Sequence, residues 1–428
     1  MTASPRAFLE GLFRTAVAAA HPASWLRAHL PVPSGRLVIL AAGKAGGSMA
    51  EVAEHYYLDE RGVPASRIGG LAVTRDGYGR PTRRLRVVEA GHPVPDAAGL
   101  AATSETLALA DGAGPEDLVL VLMSGGASAN WIAPAPGLSL TDKQAVTRAL
   151  LASGATILEI NTVRKHLSRI KGGRLAQRAY PARLVAVGIS DVPGDDPAVI
   201  GSGPTVPDQT TLADARAIVA RHRLELPQVV TRALADPANE TPKPGDPVFA
   251  ATSFALAMRP ADVFRTVENA VRAAGYDCIV LGTAIEGEAR DVAAAQARLA
   301  RDLRAQGRRA VILSGGELTV TLRGKGRGGP NQEYALALAI ALAGAKGVAA
   351  LAADTDGTDG GGGEPQDPAG AFVDVTTLLR ADRLGLDPAV FLNDNNSTQF
   401  FDKLGDLLTP GPTLTNVNDF RAILVDSP

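Results

Sequence analysis

The chain has 428 residues and a formal net charge of −2, so its overall charge gives no reason to expect nucleic acid or an anionic membrane surface as a partner. Hydrophobic residues make up 46% of the chain but aromatic residues only 4%, which is typical of aliphatic helices packed on a parallel sheet. The single cysteine, Cys278, excludes an intramolecular disulfide and a cysteine-cluster metal site. We expect it in the core, because Ile-Val-Leu follows it.

Length and hydropathy favour a multidomain cytoplasmic protein. At roughly 150 residues per domain, the chain should form about two or three domains. Glu10 and Arg14 interrupt the apolar stretch near the N-terminus, so it lacks the core of a secretory signal, and no segment reaches the about 18 uncharged apolar residues that a membrane span requires. We therefore expect no membrane partner, and the composition permits a homodimer without requiring one.

The first predicted unit is a strand over residues 36–42, a turn over 43–48 and a helix over 49–56. The turn places Gly43 and Lys44 before further glycines, where free backbone N–H groups and the helix dipole favour an anion. It matches neither the Walker A pattern nor G-x-G-x-x-G. We interpret Lys44 as a ligand-binding residue; a tight turn with a solvated lysine is the alternative.

Further apolar runs at 70–74, 118–123 and 184–189 alternate with helical patterns such as 141–160. This alternation predicts right-handed crossovers and a doubly wound, Rossmann-like parallel sheet in the first of two α/β domains. Ligands of open α/β sheets bind outside the carboxyl ends of the strands. The residues that follow each strand are therefore candidates for the site.

The strand at 118–123 stops on Ser124, Gly125 and Gly126, with Ser128 two residues later. Glycines at the carboxyl end of a buried strand let a ligand approach bare backbone. We expect this turn to receive substrate or phosphate through backbone donors.

Residues 161–174 carry five lysines and arginines after a capping asparagine. Helical spacing puts Arg164, Lys171 and Arg174 within reach of a common face, where they could grip a phosphate. We expect His166 to pack between helices. A solvated basic helix face is the alternative interpretation.

Two acidic residues follow the strand at 184–189. Asp191 should lie at the carboxyl edge of the sheet, where it can take a substrate proton or, with Asp195, hold magnesium. A small-residue loop at 200–205 offers further backbone donors and two hydroxyls. Capping and turn formation alone would also explain these residues.

Proline density rises over residues 236–247 and apolar periodicity disappears, which predicts a stiff, exposed linker. We place the domain boundary there, giving domains 1–238 and 239–428. Beyond it, predicted helices over 261–274, 286–306 and 331–343 alternate with strands over 278–281, 310–313 and 347–353, which indicates a second, smaller α/β domain.

The strand at 310–313 also stops on a Ser-Gly-Gly turn, formed by Ser314, Gly315 and Gly316 and followed by Glu317. Because the two such turns fall in different domains, we expect them to face each other across a cleft.

Three basic residues, Arg323, Lys325 and Arg327, alternate with glycine just before the helix that starts near Asn331. Flexible cationic loops of this kind can close on a polyphosphate and offset its charge in the transition state. A plain exposed hairpin is the alternative.

The acidic loop at 354–364 begins with Asp354 and Asp356. Its spacing fails the EF-hand pattern, because Thr358 and Asp359 stand where the third oxygen ligand and the glycine are required. A loop that contacts substrate hydroxyls or the water shell of magnesium fits better. We expect polar turns at 393–397 and 411–419 to line the same cleft.

Together these motifs resemble the class II glycerate kinases, the glycerate 2-kinase family with a C-terminal MOFRL domain. The resemblance covers nearly the whole chain and rests on residues 42–45, 124–129, 161–174, 190–195, 314–317, 324–333, 354–360 and 415–419. It implies a MOFRL region at about 308–423. It also implies ATP- and Mg²⁺-dependent phosphorylation of D-glycerate on its 2-hydroxyl, in a cleft between two α/β domains.

The resemblance also implies roles for particular residues. Lys44 matches the lysine that follows the first strand in this family and would contact glycerate or the transferring phosphoryl group. Pro330 stands where the family often has arginine before Asn-Gln-Glu, so we hypothesise that Arg327 or Arg323 supplies the missing charge. The remaining assignments are substrate or phosphate binding by Gly43, Ser124, Gly125, Gly126, Ser128, Arg164, Lys171 and Arg174; nucleotide binding by Ser314, Gly315, Gly316, Glu317, Lys325, Asn331, Asp354 and Asp356; and base or metal functions for Asp191, with Asp195 as second metal ligand.

Two other functions stay open. Some family members carry the label hydroxypyruvate reductase, but a nicotinamide enzyme should show a dinucleotide fingerprint, and none of these turns provides G-x-G-x-x-G. The second alternative is a non-catalytic small-molecule binding module, since a fold alone does not establish activity.

Overall fold

The computed structural model describes residues 4–362 and 364–426. The chain divides into two compact units, an N-terminal unit of Pro22–Ala257 and a C-terminal unit of Met258–Pro428 together with Met1–His21. The division after Ala257 differs from the boundary predicted at 238/239. It also assigns the first helix, α1 (Pro5–Ala20), to the C-terminal unit.

The assignment of α1 has a clear packing reason. Its buried face includes Leu9, Leu12 and Phe13, and the Phe13 ring packs edge-on against Phe420, with ring centroids 6.1 Å apart. Burial of such side chains contributes about 1.5–3 kcal/mol each. The helix therefore belongs to a core formed by chain more than 200 residues away.

The N-terminal unit contains a six-stranded sheet with the order β3-β2-β1-β4-β5-β6. The strands are β1 (Leu37–Ala42), β2 (Ile68–Arg75), β3 (Arg86–Ala90), β4 (Leu118–Met123), β5 (Arg183–Ile189) and β6 (Thr252–Met258). The pairs among β1 to β5 are parallel. All residues of β1 and β4 are buried, as continuous apolar runs predict. The doubly wound prediction is confirmed, and strand order reverses between β1 and β4, where such sheets bind ligands.

The helices of this unit are α2 (Gly46–His55), α3 (Ala97–Asp111), α4 (Ala127–Asn130), α5 (Leu140–Ala152), α6 (Ile157–His166), α7 (Arg174–Ala179), α8 (Leu212–Arg221) and α9 (Gln228–Ala235). The helical pattern predicted over 141–160 is in fact two helices, because Gly154 has φ +73° and Thr156 opens α6 with a capping box. The basic segment 161–174 is not one helix either. Gly172 and Gly173 adopt left-handed φ values of +60° and +81° between α6 and α7.

The proline-rich segment 236–247 is not the exposed linker that its composition predicted. Asn239 and Thr241 are only 5% and 3% exposed. The Glu240 carboxylate contacts His166 Nε2 at 3.1 Å and accepts a hydrogen bond from the Leu212 backbone N–H at 3.0 Å. These polar contacts fasten the segment to α6 and α8, so it is part of the N-terminal unit.

The C-terminal unit has a mixed sheet with the order β13-β12-β11-β14-β9-β7 and a separate pair of β8 with β10. Its strands are β7 (Asp277–Gly282), β8 (Gly287–Glu288), β9 (Ala310–Gly316), β10 (Leu318–Thr319), β11 (Val348–Asp354), β12 (Gly370–Val373), β13 (Leu407–Leu408) and β14 (Asp419–Val425). Its remaining helices are α10 (Pro260–Ala273), α11 (Ala289–Ala305), α12 (Pro330–Leu342), α13 (Thr377–Arg383), α14 (Pro388–Asn393) and α15 (Ser397–Leu404). The last strand, β14, lies between β9 and β11 and is antiparallel to both.

Cys278 was expected in the core, but it lies on the edge strand β7 and is only partly buried. Burial still raises the pKa of its thiol to about 11, with a smaller contribution from Glu268. Within the described ranges, no helix is long and apolar enough to cross a membrane.

Candidate active site

In the N-terminal unit, the turns that follow β1 and β4 are in direct contact. Gly43 has φ +110°, and a Cβ atom there would lie 2.4 Å from Ser124 Oγ. The Lys44 N–H donates to the Gly125 carbonyl at 2.8 Å, and the Ala45 N–H donates to Ser124 Oγ at 2.9 Å. Ser124 is fully buried, and its hydroxyl fixes the lysine turn. Binding of substrate or phosphate through the backbone donors of residues 124–128 stays a prediction.

The stem of the Lys44 side chain lies against Gly126, which has φ +85°. A Cβ atom at Gly126 would be 3.2 Å from Lys44 Cγ and 3.1 Å from His92 Nε2. Only glycine fits this left-handed, crowded position. His92 was not predicted; its signal is a histidine placed just after β3, at the same edge of the sheet as the Lys44 turn.

A row of polar side chains continues from this turn toward α6. Ser128 Oγ lies 2.8 Å from Ser202 Oγ, and Ser202 Oγ donates to Asn161 Oδ1 at 3.3 Å. Ser202 ends the short 3₁₀ turn Ile200–Ser202. The small-residue loop predicted at 200–205 and the Ser-Gly-Gly turn therefore lie side by side.

Two buried lysines lie behind this row. Lys171 is 2% exposed, and its ammonium donates to the carbonyls of Ser128 at 2.8 Å and Trp131 at 3.1 Å. Lys143, on α5, is 4% exposed and donates to the carbonyl of Arg164 at 3.2 Å. Lys143 was not predicted from the sequence. Its signal is that a lysine shares the apolar face of α5 with Val146 and Leu150.

The charges of these side chains act on one another. Burial first, and then the Arg164 guanidinium, lowers the pKa of Lys143 to about 7. The pKa of Lys171 is lowered by burial and by the charges of Lys143 and Arg164, and burial lowers the pKa of Arg164. Within residues 4–362 and 364–426, none of the three forms an ion pair with a carboxylate.

Arg174 does not share their partners. Its guanidinium donates to the Glu240 carbonyl at 3.2 Å, and burial lowers its pKa against the opposing charges of Glu240 and Asp208. The predicted common face of Arg164, Lys171 and Arg174 therefore does not extend to Arg174, whereas Lys171 and Arg164 lie close enough for their charges to interact. The helical spacing on which it rested ends at His166, which is fully buried as expected.

Asp191 follows β5 and is partly exposed, and Asp195 lies in the 3₁₀ turn Pro193–Asp195 with φ +56°. Among the described residues, no group of three or more His, Cys, Asp or Glu side chains is arranged to hold a metal ion.

In the C-terminal unit, the second Ser-Gly-Gly turn is held by a fully buried arginine. Arg421 lies opposite Ser314 in the β9/β14 pair. Its guanidinium donates to Ser314 Oγ at 3.3 Å and to the Gly315 carbonyl at 2.6 Å, and it pairs with Asp419 at 2.7 Å. Glu317, just beyond the turn, is exposed. The Ser314 hydroxyl therefore helps to hold the Arg421 guanidinium against the turn.

Asn331, at the start of α12, joins two buried carboxylates. Its Nδ2 donates to Asp419 Oδ1 at 2.6 Å and to Asp359 Oδ1 at 3.2 Å. Burial raises the pKa of Asp419 and raises that of Asp359 to about 7. The Asn331 side-chain N–H groups are thus used in hydrogen bonds to Asp419 and Asp359. Its Oδ1 has no hydrogen-bond partner within the described part of the chain.

The acidic loop forms a tight turn of its own. Asp354 Oδ1 accepts from the Asp356 N–H at 2.9 Å, and Asp356 Oδ1 accepts from the Thr358 N–H at 2.8 Å. The Thr355 hydroxyl donates to the Asn418 carbonyl at 2.6 Å. The polar turns predicted near 354 and 411–419 therefore pack against each other.

The basic segment 323–329 was predicted to be a flexible loop. It is instead held along its length by the 394–397 turn, and we call it the basic ribbon. Backbone N–H groups of Arg323, Lys325 and Arg327 donate to side-chain oxygens of Asn395, Asp394 and Asn396, respectively, at 2.6–3.3 Å. Each intervening glycine faces the 394–397 turn: Cβ atoms at Gly324, Gly326 and Gly328 would lie 2.2–2.4 Å from its atoms. The turn predicted at 393–397 to line a cleft thus holds the ribbon.

The basic side chains of this ribbon stay largely exposed. The Arg327 guanidinium pairs with Asp367, which is 1% exposed. Within residues 4–362 and 364–426, the side chains of Arg323 and Lys325 make no hydrogen bond or ion pair, and only their backbone N–H groups donate. A neutral Pro330 begins α12, so cationic charge near this helix start comes from the ribbon.

Comparison with known proteins gives the family. Residues 8–235 match a domain of unknown function, DUF4147, and residues 310–419 match the MOFRL family. The chain is 38% identical to a glycerate 2-kinase of Pyrococcus horikoshii, over 92% of this chain and 88% of that protein. It is 47% identical to an Agrobacterium vitis protein with the provisional name hydroxypyruvate reductase, over 99% of this chain and 95% of that protein.

A solved structure extends the similarity to the whole fold. The crystal structure of glycerate kinase from Thermotoga maritima matches with a TM-score of 0.85 and 37% sequence identity, covering 99% of each chain. The chain therefore belongs to the glycerate kinase family, with a DUF4147 region followed by a MOFRL region.

Proposed function

We propose that the protein is an ATP-dependent glycerate 2-kinase, which transfers the γ-phosphoryl group of ATP to the 2-hydroxyl of D-glycerate and forms 2-phosphoglycerate. The observation that carries this proposal is the position of Lys44. It stands at the switch point of a doubly wound sheet, on a glycine turn fixed by the buried Ser124 hydroxyl. Membership of the glycerate kinase family supports the same activity.

In the N-terminal unit, Lys44 would contact glycerate or the transferring phosphoryl group. Gly43, Gly125 and Gly126 let the ligand reach the backbone, and Ser128 offers a partly exposed hydroxyl. Ser124 and Lys171 fix these turns, and the charge of Arg164 acts on Lys171. Arg174 donates a hydrogen bond to the Glu240 carbonyl and so holds the segment around residue 240 in place.

In the C-terminal unit, we propose that the nucleotide is held by Glu317, Lys325, Asp354 and Asp356 and by the backbone of Gly315 and Gly316. Ser314 and Asn331 hold these turns in place through Arg421, Asp359 and Asp419. Arg323 and Arg327 are the candidates for the charge that Pro330 lacks. Arg323 is the stronger one, because Arg327 already pairs with buried Asp367.

For Mg²⁺, we propose Asp191 and Asp195 as protein ligands. Magnesium in kinases is commonly held by one or two carboxylates together with substrate phosphates, so a larger cluster of acids is not required. When bound, the ion would offset negative charge on the phosphate oxygens.

The chemistry required of the chain is positioning and charge neutralisation, since phosphoryl transfer needs little covalent help. As the alternative to its role as a magnesium ligand, Asp191 would accept the proton of the attacking 2-hydroxyl. Lys44 would stabilise charge on the transferring group, where a fixed cation is most effective in a site shielded from water.

The test is an assay of the purified protein with ATP, Mg²⁺ and D-glycerate, with the product identified by ³¹P and ¹H NMR. ATP-dependent formation of 2-phosphoglycerate is expected. Formation of 3-phosphoglycerate would overturn the regiochemistry, and no phosphorylated product would overturn the kinase assignment.

Hydroxypyruvate reductase is the second candidate, favoured by the names of two Agrobacterium vitis relatives at 47% and 46% identity. The sheet order is also that of dinucleotide-binding folds. Against it, the first turn lacks the spaced glycines that let a pyrophosphate approach the helix start. NADH oxidation by hydroxypyruvate without ATP would establish this activity.

A further inference from the structure

Three cations of the N-terminal unit lie together without a counter-ion. Lys143 and Lys171 are at least 96% buried, and Arg164 is partly buried beside them. Their pKa values are lowered by burial and by one another, and no carboxylate of the described ranges contributes to those shifts. Burying charges without partners is costly, and the two lysines reduce this cost by releasing their protons more readily; an anion bound beside them would favour the charged forms again.

These side chains keep hydrogen-bond donors for a ligand. An ammonium has three donors, of which Lys143 uses one and Lys171 two, all on backbone carbonyls. The Arg164 guanidinium, with five donors, makes no hydrogen bond within the described residues. Lysines that already cap helix carbonyls are held in place, so an incoming anion meets a preorganised site.

The cluster is continuous with the Lys44 turn. Asn161 stands one helical turn before Arg164, and it connects through Ser202 to Ser128, only two residues after Gly126. Hydroxyl and amide groups therefore lie between the two basic ends of this row. That pattern suits a small hydroxy acid, with its anionic end at one basic group and its reacting hydroxyl toward the other.

We propose that Lys143, Arg164 and Lys171 form the binding site for the carboxylate of the acceptor substrate, separate from the phosphoryl-handling Lys44 turn. The identity of the acceptor as glycerate rests on the proposed function, whereas the site rests on the geometry of the cluster. A planar guanidinium matches a carboxylate with two parallel hydrogen bonds. A phosphate of the nucleotide is the other oxyanion that this cluster could take, and the experiment separates the two.

The test compares wild type, Arg164→Gln and Lys143→Met with Arg148→Gln, an exposed basic residue of α5, as the matched control. KM values for D-glycerate and ATP are measured, and D-glycerate and inorganic phosphate are titrated by calorimetry. We expect R164Q and K143M to weaken glycerate binding about tenfold or more and to change the KM for ATP less than about twofold, since one charged hydrogen bond contributes about 1.5–3 kcal/mol. R148Q should behave like wild type.

Proton uptake on glycerate binding distinguishes a Lys143 that binds the ligand from one with only a structural role, because only the first would change its protonation when glycerate binds. The charged groups that face Lys143 are Arg164 and Lys171, while the acids of the same helices, Asp142 and Glu159, are held in capping boxes at the helix starts. A bound carboxylate restores the charged form of Lys143. Glycerate binding at pH 7.5 should therefore take up a fraction of a proton, measured in two buffers of different ionisation enthalpy, and K143M should abolish this uptake.

The outcomes are distinguishable. A raised KM for ATP with unchanged glycerate binding would assign the cluster to the nucleotide, and unchanged binding of both would overturn the site. If K143M does not fold, absence of proton uptake in wild type still overturns the inference. If wild type binds glycerate through Arg164 but makes no phosphoglycerate, the site stands and the proposed function falls.

Discussion

Lys44 is held by backbone contacts that do not involve its own ammonium. Its N–H bonds to Gly125 and the next N–H bonds to Ser124, so removal of the side chain should leave the turn intact. We expect Lys44→Ala to reduce kcat by about 10²–10³, the range for loss of one charge-stabilising group in a phosphoryl-transfer site. Steady-state kinetics test this, with circular dichroism as the check on folding.

A comparison of Lys44→Ala with Ser124→Ala separates chemistry from positioning. S124A removes the hydrogen bond to the Ala45 N–H and leaves that buried donor unpaired, which costs about 1–3 kcal/mol of stability. It should therefore lower the melting temperature, whereas the effect expected of K44A is on kcat. An unchanged kcat for K44A would contradict the role given to this lysine.

Lys143 makes the stability of the ligand-free protein depend on pH. The folded protein releases this proton near pH 7, whereas the unfolded chain releases it near the ordinary lysine value. Between these values the unfolded chain binds more protons, so the free energy of unfolding should rise with pH, by at most about 5 kcal/mol. Lys171, whose pKa is also lowered, acts in the same direction.

We therefore expect Lys143→Met to be more stable than wild type at pH 7 and to lose much of this gain near pH 10. Urea unfolding at a series of pH values measures it, and Arg148→Gln serves as the control that keeps the wild-type slope. Parallel pH profiles for K143M and wild type would contradict a lowered lysine pKa.

At the scale of elements, the basic ribbon depends on its glycines. Arg323, Lys325 and Arg327 have exposed side chains, while Gly324, Gly326 and Gly328 lie against the 394–397 turn. In Gly326→Ala, the new methyl group would lie 2.3 Å from Asn396 Cβ, so the ribbon must move off the turn. We expect faster trypsin cleavage after Lys325 and Arg327 in the folded protein.

Gly11→Ala is the matched control, because that exposed position in α1 has no atom within 4 Å of the new methyl group, and alanine favours a helix there by about 1 kcal/mol. It should leave the cleavage rate unchanged. Equal cleavage of G326A and wild type would show that the ribbon does not need glycine at this position.

The elements also show how far the sequence could predict the structure. Strands such as β1 and β4 were predicted nearly to the residue, because buried parallel strands appear as unbroken apolar runs. The role of Asn395 could not be predicted. Its side chain holds the ribbon through the Arg323 N–H and contacts Glu333, and such long-range polar pairing leaves no periodic pattern in the sequence.

The same limit applies to the candidate site. Lys44 and Ser124 were proposed because they follow strands, and the topology brings strand ends together. The loop near Ser202 was proposed for its small residues and hydroxyls. Lys143 was missed because a lone lysine on a helix is ordinarily solvated. Its burial depends on α5 and α6 packing together, which the sequence does not state.

At the scale of the whole molecule, the first helix of the chain belongs to the same unit as its last strand. The C-terminal unit is completed by α1, although more than 200 residues separate them, so the observed division is not a single cut along the sequence. The proline-rich segment 236–247 was also predicted wrongly, as an exposed linker. Its composition is that of a linker, but the Glu240 carboxylate contacts His166 and the buried Thr241 hydroxyl donates to Asp208.

The division into units predicts which unit a mutation in α1 destabilises. Phe13 is 2% exposed and packs against Phe420 of β14, so Phe13→Ala should destabilise the C-terminal unit by about 3–5 kcal/mol. Both tryptophans, Trp25 and Trp131, lie in Pro22–Ala257, so tryptophan fluorescence reports the N-terminal unit while far-ultraviolet circular dichroism reports both.

In urea, F13A should therefore lose part of its circular dichroism signal at lower denaturant than wild type, before the change in fluorescence. Leu158→Ala, at a 62% exposed position of α6, is the control and should shift neither transition by much. A fluorescence transition that moves as far as the circular dichroism transition would mean that the two units unfold together. A shift in fluorescence alone would contradict the assignment of α1, because Phe13 would then stabilise the wrong unit.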